Sequence, residues 1–219
     1  MNSELPLRFS NIGKLASALL WVYYIGLALT PAAIILDFIE YSVLHGIGDH
    51  TLTGETMIAR ADASDRNQQR MAIVELCLWA ISTVLWFVWI FKSNAFARAY
   101  GATTMKYSPG WSVGWFFIPI ANLFKPYFAV KEIYLATLDP KRFDPSQEVE
   151  DQPQSLNLVK LWWLFWIVNG LLDRYAFKVA MKAQTIEELI FSNKLTIATE
   201  VLGAISTLTC ILLIKEIWS

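Results

Sequence analysis

The chain has 219 residues, of which 55% are hydrophobic and 17% are charged, and its formal net charge is −1. Typical soluble domains have about 25% charged residues; this lower share and a mean hydropathy of +0.41 predict a protein of the lipid bilayer. A nucleic-acid partner is excluded, because neutralising phosphates needs a clustered basic face that this sequence lacks.

Four apolar stretches predict an all-α integral membrane protein with four transmembrane helices. A helix needs about 20 apolar residues to cross about 30 Å of hydrocarbon. Three stretches reach that length, whereas the core at 161–172 must continue past Asp173 to span. The first stretch has no small-residue cleavage site after it and is interpreted as an uncleaved helix. Within a single membrane domain, 1–219, the predicted spans are 15–44, 71–91, 156–181 and 195–214.

The connections between these spans predict the orientation. The connection after the first span mixes acids and bases, whereas 92–110 contains Lys92, Arg98 and Lys106 and no acid. Cytoplasmic connections are enriched in Lys and Arg, so 92–110 and the N-terminus are expected in the cytoplasm. Tryptophan prefers the headgroup level, and seven tryptophans fall on this predicted cytoplasmic side: Trp21, Trp86, Trp89, Trp162, Trp163, Trp166 and Trp218.

The segment 108–138 is apolar enough to enter a bilayer but is interrupted by prolines. Ser108 is a suitable N-cap, and Pro109 suits the first helical position. Pro119 and Pro126 each remove a helical hydrogen bond. These features predict a broken helix that is re-entrant or interfacial and runs into an amphipathic helix. The alternative is a segment that crosses fully, which would make five spans.

Small and aromatic residues give this segment two further features. Gly110 and Gly114 form a G-x-x-x-G face that suits close helix packing, and Trp111 and Trp115 lie on the adjacent face. The expected role of the glycine pair is packing.

Polar residues follow in the second half of the segment. At helical geometry Asn122, Lys125 and Glu132 share one polar stripe. Residues 139–155 then read as a polar, proline-punctuated linker.

The run from Asn94 to Tyr134 contains "SPGW", "VGWFFIP", "ANL", "KPY" and "KEIY". It resembles the core motif, SPGWxVGWFFIPxANLxKPYxxxKEI, of a bacterial multi-pass membrane family classed as domain of unknown function number four thousand three hundred and twenty-eight. The resemblance implies a protein of the bacterial cytoplasmic (inner) membrane, and it brings no catalytic residues with it. The motif positions singled out are Ser108, Pro109, Gly110, Trp111, Gly114, Trp115, Pro119, Asn122, Lys125, Pro126, Tyr127 and Glu132.

Four carboxylates, one taken from each predicted span, are expected in the outer third of the bilayer: Asp37, Glu75, Asp173 and Glu200. Asn169 lies one helical turn before Asp173. Ionisable groups at membrane depth are costly, so they indicate a cation or proton path or a polar ligand pocket. The alternative is a set of acids near the headgroups or in structural ion pairs with Arg70, Arg174, Lys178 and Lys194.

Metal, cofactor and enzyme signals are weak. His45, Asp49 and His50 stand in a polar stretch and are expected to be solvated, so no metal site and no cofactor are predicted. Cys77 and Cys210 are interpreted as small core residues without a disulfide. The common hydrolase, metalloprotease and nucleotide-binding motifs are absent, and no span contains a histidine base. We therefore expect no enzymatic activity.

Two functions remain. The leading hypothesis is a non-enzymatic binding or accessory subunit whose broken helix docks an unidentified membrane partner or a second copy in a homo-oligomer. The alternative is a small channel or transporter for a cation, proton or small polar solute that uses the acidic residues, since broken helices often line ion sites.

Overall fold

The computed structural model describes residues 5–144 and 156–218, with side chains from Ile12 onward. These residues form helices and no strand, which confirms the all-α class. The α-helices are α1 Leu5–Gly48, α2 Gly54–Ala99, α3 Pro109–Gly114, α4 Lys125–Leu138, α5 Asn157–Ala180 and α6 Ile186–Trp218. Short 3₁₀ turns cover Trp115–Phe117, Ala121–Leu123 and Pro140–Phe143. The rest of the predicted linker, 145–155, lies outside the described residues.

Three helices are long and apolar enough to cross a membrane: α1 over Ile12–Gly48, α2 and α6. This count is lower than the four predicted. α5 has 24 residues, and at 1.5 Å per residue it is about 36 Å long, so length is not the reason. Its apolar run is instead interrupted by Lys160, Asn169, Asp173 and Arg174.

α2 begins much earlier than the apolar pattern predicts. Its first residue is Gly54, whereas the apolar stretch starts at Met71. The residues between them include many good helix formers, such as Ala, Arg, Gln and Met. The turn between α1 and α2 is therefore confined to Asp49–Thr53.

The segment after α2 is a broken helix, as its prolines predict. Ser108 caps α3, because its Oγ accepts a hydrogen bond from the Trp111 N–H at 3.3 Å. Ile118, just before Pro119, has an extended backbone with φ −100° and ψ 112°. A second break falls at Phe124, with φ −139° and ψ −46°, and α4 starts at the next residue. The chain therefore changes direction twice between α3 and α4.

The described residues fall into two compact units. Unit 1 contains the described parts of Met1–Tyr23, Ile81–Leu164 and Thr209–Ser219, and unit 2 contains Tyr24–Ala80 and Phe165–Leu208. α1, α2, α5 and α6 each contribute one segment to unit 1 and another to unit 2.

Unit 1 holds the hydrophobic core, and part of that core is made of tryptophan. Trp89 and Trp162 are each 1% exposed. The Trp86 ring packs against both, with centroids 5.3 and 5.5 Å apart. These three tryptophans were expected at the headgroup level, but the structure uses them as core residues, since large rings bury much apolar area. Trp21, in contrast, is exposed.

Candidate functional site

The interior of unit 2 is mainly polar. Its buried residues are Ala33, Asp37, Val43, Ser64, Ala176, Ser192 and Asn193. Four of these seven are polar, whereas the extended apolar core belongs to unit 1. Polar groups at membrane depth are costly unless they pair with one another, contact water or bind an ion. Unit 2 is therefore the candidate functional site.

Two side-chain amides join α1, α2 and α6 around a pair of carboxylates. Gln68 Nε2 donates to Asp37 Oδ1 at 2.9 Å and to Glu40 Oε2 at 2.7 Å. Asn193 Nδ2 donates to the Asp37 backbone carbonyl at 3.1 Å and to Glu40 Oε2 at 3.2 Å. An amide nitrogen carries two hydrogens, so both donors are fully used.

The donors of this network do not reach every acceptor. Asp37 is 3% exposed, and its Oδ2 is buried without a hydrogen-bond partner. Asn193 is 4% exposed, and its Oδ1 also has no partner. A buried oxygen that lacks a donor destabilises the fold. A proton or a small cation at Asp37 Oδ2 would supply the missing interaction.

The other predicted carboxylates surround this network. Glu75 and Glu200 are half-buried, and Asp173 is exposed. The Glu200 carboxylate lies within electrostatic range of Glu75, Asp37 and Asp173, in that order of strength. The structure therefore brings the four predicted acids together, one each from α1, α2, α5 and α6.

Asn169 connects α5 to this cluster. Its Nδ2 donates to Asp173 Oδ2 at 2.9 Å, while its Oδ1 is buried without a partner. α6 comes close here, because a Cβ added to Gly203 would lie 3.8 Å from Asn169 Oδ1. Asn169 thus orients Asp173 and leaves an oxygen beside α6.

Basic side chains do not neutralise the acids. Within the described ranges, none of these carboxylates forms an ion pair with Lys or Arg, and the recorded ion pair joins His45 Nδ1 to Asp49 Oδ2 at 2.7 Å. Lys194 Nζ instead lies 5.5 Å from the centroid of the Tyr41 ring. The structural pairs considered as the alternative, with Arg70, Arg174, Lys178 and Lys194, do not form in this part of the chain.

Histidine and cysteine contribute no ligand cluster. In the chain as described, no group of three or more His, Cys, Asp or Glu side chains is arranged to hold a metal ion. His45 is exposed and bonded to Asp49, and His50 lies in the following turn with φ 57°. Cys210 is buried, but Cys77 is exposed. The prediction that both cysteines are core residues is wrong for Cys77, because α2 turns that side away from its neighbours.

A second polar cluster, in unit 1, fixes the connection between α2 and α3. Arg98 Nη2 donates hydrogen bonds to the carbonyl of Met105 at 2.6 Å and to that of Tyr107 at 3.0 Å. Asn94, which is fully buried, donates to the same Tyr107 carbonyl at 2.9 Å and accepts from Arg98 Nε at 3.1 Å. In this cluster the Tyr107 carbonyl and Asn94 Oδ1 both accept hydrogen bonds, whereas the unit 2 network leaves two buried oxygens without a donor.

Glu132 of α4 closes the same connection from the other side. Its carboxylate accepts hydrogen bonds from the backbone N–H groups of Lys106 and Tyr107, both at 3.0 Å. Burial, and then the negative charge of Glu132, raises the pKa of the Tyr107 phenol above its usual range. Glu132 is therefore a positioning residue that ties α4 to the loop before α3.

The other motif residues are spread along the broken segment. The rings of Trp111 and Trp115 lie 4.6 Å apart, and Lys125 Nζ lies 5.5 Å from the Trp115 ring centroid. The expected polar stripe is not continuous, because the break at Phe124 separates Asn122 from α4.

The glycine pair of the motif has no neighbouring helix in the chain as described. A Cβ added to Gly110 would meet nothing within 4 Å, and one at Gly114 would meet only the Trp111 ring. Their packing role stays a prediction.

Residues 53–219 match the family described as "Domain of unknown function (DUF4328)". The chain belongs to this family. No curated protein and no solved structure shows significant similarity to the chain. The DUF4328 match includes the whole Asn94–Tyr134 run and the polar cluster of unit 1. It also includes the unit 2 network apart from Asp37 and Glu40 of α1. The family description assigns no function to its members.

Three members of the unit 2 network in this DUF4328 chain are not among the site residues predicted from the sequence: Glu40, Gln68 and Asn193. Each lies at helical spacing from an acid that was identified. Glu40 is three residues after Asp37, and Gln68 and Asn193 are each seven residues before Glu75 and Glu200. Residues at these spacings share one helix face, so a search for polar pairs at three or seven residues would have found them.

Proposed function

We propose that this protein is a small, non-enzymatic membrane channel or transporter for a proton or a cation. Two observations support the proposal: the carboxylates of Glu75, Asp37 and Asp173, from three other helices, act electrostatically on Glu200 without an ion pair to Lys or Arg, and Asp37 Oδ2 is buried without a hydrogen-bond partner. Acidic groups inside a membrane bundle are the usual elements of proton and cation paths. This order of the two functions reverses the one that the sequence favours.

The proposal includes four spanning helices in the bacterial cytoplasmic membrane, with the N-terminus in the cytoplasm. α5 is about 36 Å long, which exceeds the about 30 Å of hydrocarbon. Lys160 and Arg174 lie toward opposite ends of α5, where long side chains extend to the headgroups. Asn169 and Asp173 face the acidic cluster, so the polar residues that lower the hydropathy of α5 are accounted for.

The chain's own residues suggest how a ligand is bound. Asp37 and Glu40 share the Gln68 amide and are held at one place between α1 and α2. Glu200 is half-buried within electrostatic range of Asp37, so both carboxylates repel when they are ionised. A proton or cation relieves that repulsion and is passed between them. Asn193 and Gln68 are positioning residues.

A binding or accessory role is the second candidate. It is favoured by the apolar surface of the three spanning helices, because only 11%, 6% and 28% of their most apolar windows are buried inside the chain. A membrane partner or a second copy would cover part of that surface. Gly110, with open space around its Cβ position, would then contact the partner.

The test is ion flux in proteoliposomes. The purified full chain is reconstituted with an internal pH dye, a potassium gradient and valinomycin, and proton entry is followed. Sodium and potassium fluxes are followed in separate vesicles without valinomycin. We expect flux above that of protein-free vesicles, and we expect Asp37→Asn and Glu200→Gln to abolish it. Glu55→Gln is the matched control, since Glu55 is an exposed acid outside the cluster.

Two results would overturn the transport proposal. One is background flux for all three ions with correctly reconstituted protein. The other is flux that Asp37→Asn and Glu200→Gln leave equal to that of Glu55→Gln, while all variants elute as folded protein from a sizing column. A complex that co-purifies with the chain and is lost on Gly110→Leu would then favour the accessory role.

A further inference from the structure

We infer that residues 108–124 form a re-entrant hairpin whose tip lies among the acyl chains of one membrane leaflet, so that the surface presented by its tip binds lipid. This hairpin belongs entirely to unit 1 and is independent of the acidic cluster. Three features support this position of the hairpin: where its ends are fixed, where its tip contacts α2, and which residues are exposed.

The chain segment that contains the hairpin has its two ends, Tyr107 and Glu132, fixed at the same place. Arg98 and Asn94 hold the Tyr107 carbonyl, just before the hairpin starts. Glu132, which lies within α4 eight residues after Phe124, holds the Tyr107 N–H at 3.0 Å. The chain therefore leaves the level of Asn94 on α2 and returns to the same level. A segment that crosses the membrane would have its ends on opposite faces.

The tip contacts α2 well before Asn94. The rings of Phe116 and Phe117 pack against Phe87, with centroids 5.3 and 5.2 Å apart. Phe87 is seven residues before Asn94, which is about 10 Å along a helix axis. It lies within the apolar stretch of α2, before Lys92. The tip is thus about 10 Å deeper than the ends, or about a third of the hydrocarbon thickness.

The side chains that the hairpin exposes are large and apolar. Phe117 is 70% exposed and Ile120 is 78% exposed. No charged residue occurs between Lys106 and Lys125. The large hydrophobic residues that the hairpin exposes are Trp111, Phe117, Ile118, Ile120, Leu123 and Phe124. An apolar patch of this kind marks an interaction surface.

The backbone and the surroundings of these residues favour lipid over a protein partner. The chain leaves helical geometry at Ile118 and again at Phe124, so the exposed residues around these two breaks do not lie on one continuous helix face. Acyl chains, being fluid, surround such an irregular surface. The neighbouring residues of α2 at the same depth, Val84 and Val88, are exposed as well. The hairpin tip and the exposed side of α2 at that depth therefore both contact the acyl chains.

Spin-label accessibility tests this inference in the full chain. Cys77, the exposed cysteine, is replaced by Ala, and Cys210 is kept because it is buried; a sample without an added cysteine confirms that it does not label. Single cysteines are introduced as Ile120→Cys in the hairpin, Val84→Cys on α2 and Thr103→Cys in the connection before the hairpin. Relaxation is measured in vesicles with oxygen and with a water-soluble nickel complex.

We expect the ratio of oxygen to nickel accessibility at Ile120→Cys to match that at Val84→Cys and to be several-fold higher than at Thr103→Cys. A nickel-accessible label at Ile120→Cys would overturn the inference, because the tip would lie in water. A label inaccessible to both reagents would also overturn it, since a protein partner or a second copy would cover the tip. So would an impermeant thiol reagent that reaches Ile120→Cys and Thr103→Cys from opposite sides.

Discussion

The guanidinium of Arg98 is bonded to backbone carbonyls of Met105, Tyr107 and Thr103, the last at 3.5 Å. Within the connection, Gly101 has φ 117°, a conformation that glycine adopts readily. At the residue scale, the path of the chain into the hairpin therefore depends on Arg98 with its partner Asn94 on one side and on Glu132 on the other.

Replacing Arg98 should destabilise the protein measurably. Hydrogen bonds to a charged group contribute about 1.5–3 kcal/mol each, but Arg98 is only half-buried, so we expect Arg98→Ala to lower the free energy of unfolding by about 2 kcal/mol. For a chain of this size that is a fall of roughly 4–8 °C in the unfolding temperature, which thermal denaturation in detergent micelles measures. Arg70→Ala, at an exposed arginine of α2, is the matched control, and an equal loss there would contradict the assignment.

The contact between α1 and α6 in unit 1 depends on a residue without a side chain. The Trp218 ring of α6 occupies the space in which a Cβ of Gly13 would lie. The ring and the glycine backbone thus allow the two helices to approach closely. At the element scale, small residues work in this way where membrane helices meet.

Two glycines of α1 should respond in opposite directions to alanine. Gly13→Ala forces the Trp218 ring to move, and overpacking of this kind costs about 1–3 kcal/mol. Gly26→Ala meets nothing within 4 Å, and replacing a helical glycine by alanine in open space gains about 0.5–1 kcal/mol. Thermal unfolding of both variants measures the difference. Equal unfolding temperatures would show that α1 and α6 do not pack at Gly13.

At the scale of the whole molecule, the number of spans decides which connections share a side of the membrane. With four spans and a cytoplasmic N-terminus, the turns at Thr51 and Lys182 lie outside and the connection at Thr103 lies inside. Thr51→Cys and Lys182→Cys should then react with an impermeant thiol reagent on intact cells, and Thr103→Cys only after lysis. All three positions are exposed, so access reports the side of the membrane. If Lys182→Cys behaves like Thr103→Cys, α5 does not span.

The sequence predicted the helical class and an acid on each of four helices, because both depend on composition and helical period. α1, with its apolar residues on every side, is unmistakable, and Asp37 is conspicuous within it. The hydrogen bonds of Arg98 were not predictable, because they join its side chain to backbone carbonyls seven and nine residues away in an irregular connection. The span count was not settled either, since the polar residues of α5 can face a polar interior or end a membrane helix.

The unit 2 network also has a consequence for biogenesis, because its residues are synthesised at different times: Asp37, Glu40, Gln68 and Asn193. On the proposed topology Asp37 and Glu40 enter the membrane with the first helix, where acidic side chains are costly to insert. Asn193 follows Glu40 by 153 residues, which is roughly 10–30 s of synthesis at usual elongation rates. Throughout that interval the nascent first helix carries acids whose last amide donor does not yet exist. A chain truncated before the final helix is therefore a natural substrate for membrane quality control.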